Sequence, residues 1–146
     1  MPLAQISPVI LSLETAHQAT AAAIEKVEEI GIPYTLTVVD GAGNPVHLTR
    51  QDGAAIASID TSVAKARTAV YFGATTASLA GAVADGAPLA TIQTSTTVPL
   101  AFVAGGVPIL DEAGVVVGAF GAGGGSPDQD HEVALAAAAA VTAAKA

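Results

Sequence analysis

Residues 107–130 read VPILDEAGVVVGAFGAGGGSPDQD, and this stretch decides the fold. Two apolar, β-branched runs, Val107–Leu110 and Val115–Gly121, flank Asp111-Glu112-Ala113-Gly114, a turn that folds them back as an antiparallel hairpin. A glycine-rich loop follows, and a helix starts beyond it. Ser126 stands at the N-cap, Pro127 at the first helical position and Gln129 three residues after the cap, the pattern of a capping box. An antiparallel sheet leading into a helix needs its faces covered, so the expected class is α+β.

Working outward, the same grammar recurs. Ser12 as N-cap, with Gly31 and Pro33 as stops, predicts a first helix. Leu13, His17, Thr20, Ile24 and Val27 recur at spacings of three and four, which predicts an apolar stripe bordered by Ala16 and Ala23. Tyr34–Asp40 and Pro45–Arg50 read as strands joined through Gly41–Asn44. A second helix, capped by Ser58 or Asp60, runs to Phe72 and stops at Gly73. Thr75 or Thr76 opens a shorter one, and a single helical turn falls within Pro88–Thr94. Leu100–Val103 reads as one more strand before Gly105-Gly106, which makes five strands in all.

With 146 residues the chain is expected to form a single domain, 1–146. Hydrophobic residues make up 51% but aromatics only 3%, so the core is built from small side chains that let backbones approach closely. Such surfaces favour intimate subunit contacts, and a homo-oligomer is expected. No apolar run approaches the roughly 18 residues of a membrane span. The net charge of −8 repels phosphate backbones and anionic lipid alike, which excludes nucleic acid and membrane surfaces as partners. The absence of cysteine removes disulfides, thiolate catalysis and Cys-ligated metals. Met1–Ile10 lacks the pattern of a signal peptide, so the expected location is cytoplasmic; a secreted protein whose signal was removed is the alternative.

Four places could carry chemistry. Gly123 and Gly124, in the loop before the last helix, offer bare N–H groups to a small anion or serve close packing. Gly105 and Gly106 make either a tight bend or a wall for a flat ligand. Arg50, Asp52, Lys65 and Arg67 concentrate charge mid-chain, pairing among themselves or with Asp60; Arg50 or Arg67 could instead clamp a carboxylate beside the glycines. His17 on a mainly apolar helix face is either a satisfied core residue or a ligand, while His47 and His131 are expected on polar surfaces.

Several blocks resemble the GlcG/HbpS-like family. They are Leu11–Ala16, Val38-Val39-Asp40 with Gly43-Asn44, Arg50 with Asp52-Gly53-Ala54, Ser58-Ile59-Asp60, Lys65–Ala69, Gly105–Ile109 and the closing glycine loop with Asp130. Together they cover roughly Leu11 to Val141 in the family's order. The resemblance implies a profilin-like α+β fold with five antiparallel strands flanked by helices, assembled into oligomers up to octamers. It also implies a haem-binding protein, with His17 matching the axial ligand of the PduO-type domains. A small-carboxylate (glycolate-like) binding protein or enzyme is the alternative. One departure stands out: where the family has Gly-Val-Ser-Gly, this chain has Gly121-Ala122-Gly123-Gly124, without the serine hydroxyl.

Overall fold

Ser12 accepts the Thr15 N–H at 3.1 Å and opens α1 (Leu13–Ile30), which Gly31 ends in the left-handed conformation. The computed structural model describes residues 11–142, so the reading of Met1–Ile10 lies outside the described residues. After α1 come β1 (Thr35–Asp40), β2 (Pro45–Arg50), α2 (Ala57–Phe72), a one-turn α3 (Thr76–Leu79), two 3-10 turns, β3 (Gly106–Leu110), β4 (Val116–Gly123) and α4 (Pro127–Val141). The capping box of Ser126 and Gln129 is formed, with Pro127 at the first position. At α2 neither Ser58 nor Asp60 is the cap. The helix starts from Ile56 without a side-chain cap, and Ser58 sits inside its first turn.

The strands form one antiparallel sheet in the order β2-β1-β4-β3, so the two outer strands each carry a proline, Pro45 and Pro108. Among the described residues there are four strands and not five. Leu100–Val103 forms no ladder: Leu100 and Phe102 are buried, Phe102 packs edge-to-face on Phe72 at the end of α2, and the Ala101 N–H is taken by Thr68 Oγ1 at 2.9 Å. Its apolar composition serves packing on a helix instead of pairing with a strand.

Alternation in β1 divides the molecule into layers. Tyr34, Leu36 and Val38 join the larger core, where α1 and α4 cover one face of the sheet through Ala16, Ala19, Ala23, Ala134 and Ala137. Thr35, Thr37 and Val39 face α2, which lies across the other side. That second interface is a close one. The Thr35 and Thr37 hydroxyls meet those of Ser58 and Ser62, each at 2.8 Å, and a Cβ on Gly121 would strike the backbone carbonyl of Ser62.

Candidate functional site

Two assemblies of polar residues stand out. The first lies where α2, the end of β4 and the start of α4 converge. Lys65 is buried on α2, and its Nζ lies 2.7 Å from Asp130 Oδ2 and 3.1 Å from the Ala122 carbonyl. Asp130 receives the Gly125 N–H on its other oxygen at 2.9 Å. The pair therefore ties α2 to the glycine loop and to the first turn of α4. Beside it opens a hollow of about 300 Å³ lined by Ala57, Ser58, Thr61, Val103, Gly123 and Gly124, with Lys65 and Asp130 in its wall.

The candidate glycines gather around this pair. A Cβ on Gly105 would come within 2.9 Å of Lys65 Nζ, and one on Gly106 would strike the Lys65 carbonyl. Gly124, at φ +148°, would meet the Pro33 carbonyl and Tyr34. These segments are thus required for close packing against Lys65 and β1. Beneath the loop Tyr34 is fully buried, and burial together with the Asp130 carboxylate pushes its phenol well above the ordinary tyrosine range.

The arginines do not join them. Arg67 donates to the Gly43 carbonyl at 3.2 Å and borders a separate hollow with Asp60, Val63, Ala64 and Pro99. Arg50 stands exposed on edge strand β2, opposite Thr35. Neither lines the glycine hollow, so the expected arginine clamp is not built. Nor does Lys65 pair with Asp52 or Asp60; its partner is 65 residues along the chain.

The second assembly is the histidine pair on the opposite layer. His17 was expected on the buried stripe of α1, but the buried positions are Ala16, Ala19, Thr20, Ala23 and Val27, while Leu13 and His17 are exposed. The reason is steric: α1 packs against the alanines of α4, which brings its own smallest residues inward. The His17 ring stands edge-on to His47, with centroids 4.7 Å apart and planes at 85°.

His47 is half-buried, not on an open polar surface. Burial, with His17 adding to it, lowers its pKa and favours the neutral ring. His47 Nδ1 lies 3.4 Å from Thr20 Oγ1 and 3.5 Å from Thr49 Oγ1, and the Thr20 hydroxyl donates to the Ala16 carbonyl at 2.8 Å. His131 likewise departs from expectation, for its Nδ1 is buried and has no partner among the described residues. Sequence reasoning missed the Lys65–Asp130 pair and the pairing of His47 with His17. Among the described residues no group of three or more His, Cys, Asp or Glu is placed to hold a metal ion, and no helix is long and apolar enough to cross a membrane.

Comparison with known proteins agrees with this architecture. Residues 11–139 match the family model described as haem degrading protein HbpS-like. The chain is 31% identical over 137 residues to the corrinoid adenosyltransferase PduO of Salmonella typhimurium, covering 94% of this chain and 40% of that protein. It thus spans about two fifths of the length of the adenosyltransferases it matches. An uncharacterized 15.0 kDa protein of Citrobacter freundii is 34% identical, with 85% of this chain and 87% of that one covered. Among solved structures, Klebsiella pneumoniae ORFY superposes with a TM-score of 0.85 at 30% identity, covering 97% and 96% of the two chains. A PduOC–haem complex superposes at 0.82 with 32% identity, over 89% and 94%. HbpS superposes at 0.79 with 36% identity, over 94% and 92%. With its family model matched along nearly its whole length, the chain belongs to the HbpS-like family.

Proposed function

We propose that the protein binds haem on the α1–β2 surface, with His17 as axial ligand to the iron. The observation that carries this reading is the exposed His17 imidazole, set edge-on against a His47 ring held toward its neutral form. The residues present fit the group. Leu13, one turn before His17, is 52% exposed, and Ala21, one turn after it, is exposed too. A flat porphyrin can therefore lie along small apolar side chains beside a nitrogen ligand. The haem in the PduOC complex and the description of the family model support the reading. When bound, haem supplies a redox-active iron. The chain's own part is to present the imidazole, to keep His47 as its orienting neighbour and to cover the porphyrin with α1.

Self-association belongs to the same proposal. Ile56 is 76% exposed and Leu135 48%, both large apolar side chains that a second copy would cover.

Haemin titration tests the haem site. The wild type is expected to give a sharp Soret band, lost or strongly shifted in His17→Ala and unchanged in His131→Ala. His47→Ala is expected to shift the band without abolishing it, because that ring orients the ligand. Binding is expected to weaken as the medium is acidified, since an imidazolium cannot ligate iron. Wild-type affinity in His17→Ala would remove that residue from the site, and no Soret band in the wild type would end the haem reading.

A further inference from the structure

The haem reading leaves the glycine hollow and its buried ion pair unused. We propose that this hollow binds a small neutral aldehyde or ketone, and that Lys65 captures its carbonyl carbon as an imine with Asp130 as the proton carrier.

Taking an ion pair out of water is costly, and an apolar pair of the same volume could join the same elements without that cost. Lys65 and Asp130 nevertheless lie with only 5% of each side chain exposed, in the wall of an open hollow. An ammonium has three donors. Two are engaged, by Asp130 Oδ2 and the Ala122 carbonyl, which leaves one for an oxygen acceptor in the hollow. The charges on the pair cancel, and Asp128 stands exposed on the same turn of α4, so an anion gains little there. A neutral carbonyl oxygen meets the spare N–H without that repulsion. At about 300 Å³ the hollow sits at the low end of ligand-site volumes, which favours a molecule of few heavy atoms.

The chemistry balances within the pair. Lys65 passes a proton to Asp130, and its freed lone pair attacks the carbonyl carbon. The C=O π pair moves to oxygen, which takes the proton back from Asp130 and leaves a carbinolamine. A second proton then leaves nitrogen for Asp130 and goes on to the hydroxyl. The C–O bond breaks as C=N forms, releasing water and a protonated imine. That imine carries the same charge as the ammonium it replaces, so its pairing with Asp130 survives.

The test is reductive trapping of the full chain with acetaldehyde and sodium cyanoborohydride, followed by peptide mass mapping. Lys26 on α1, with 32% of its side chain exposed and paired with Glu29, serves as the internal reference. Lys65 is expected to be alkylated faster than Lys26, at a rate that saturates with aldehyde concentration, as binding before reaction requires. Asp130→Asn is expected to slow alkylation of Lys65 about a hundredfold with Lys26 unchanged. Gly123→Ala, whose methyl would come within 3.0 Å of Thr61 Oγ1 and narrow the hollow, is expected to slow it too; this variant keeps the test open should Asp130→Asn not fold. Alkylation of Lys65 slower than Lys26, or linear in aldehyde, would overturn the proposal. So would unchanged trapping at Lys65 in either variant.

Discussion

Lys65 holds its place by charge and by the close approach of two glycines. Gly105 and Gly106 leave room for its stem and backbone, and Asp130 supplies the counter-charge. Lys65→Met strands a buried carboxylate with the Gly125 N–H as its remaining partner, an expected loss of about 3–5 kcal/mol in urea unfolding. Adding Asp130→Leu is expected to recover most of that loss, because the stranded charge goes with it. Tyr34 gives a second test. Burial and the Asp130 carboxylate hold its phenol protonated. In the unfolded chain a phenol ionises near pH ~10. With the folded value higher, stability is full below that pH and falls as pH rises above it. Absorbance titration of the folded protein is therefore expected to show fewer than two phenolates until the chain unfolds. Neither residue announced its role in the sequence. Lys65 meets a partner 65 residues away, and the one local hint was the stripe of Ser58, Ser62, Ala66 and Ala69 that it borders.

At the scale of elements, much was legible because the signals are local. The caps of α1 and α4, the β1–β2 hairpin and the β3–β4 hairpin all follow from punctuation by Ser, Gly and Pro. Besides the α2 cap, two readings failed for reasons outside the local sequence. Leu100–Val103 has strand composition, but its Ala101 N–H is claimed by α2 through Thr68. The stripe through Leu13 and His17 has helical spacing, yet the alanines face inward because α4 brings its own alanines against them. The α2–β4 contact supplies a prediction of its own. Gly121→Ala sets a methyl against the Ser62 carbonyl and is expected to cost about 1–3 kcal/mol as α2 is pushed off the sheet. Ser126→Ala, which removes the α4 cap, is expected to cost about 1 kcal/mol. Thermal unfolding of the two variants measures both.

For the whole molecule, charge and assembly pull against each other. Each copy carries a net charge of −8, so joining copies brings like charges together, while exposed Ile56 and Leu135 favour contact. Light scattering is expected to show an oligomer that tightens as salt is raised and loosens as it is removed, because screening weakens the repulsion and leaves the apolar contact intact. A monomer at every ionic strength would contradict the assembly.

The prolines of the two outer strands bear on how the rims of the sheet meet other chains. Pro45 and Pro108 each lack an amide hydrogen, and a proline in an edge strand takes a position where that hydrogen would have pointed outward. A further strand arriving at either rim finds the ladder broken. Copies of this chain are thereby steered away from zipping into an endless ribbon. Any contact between copies is left to helices and loops and not to the rims of the sheet.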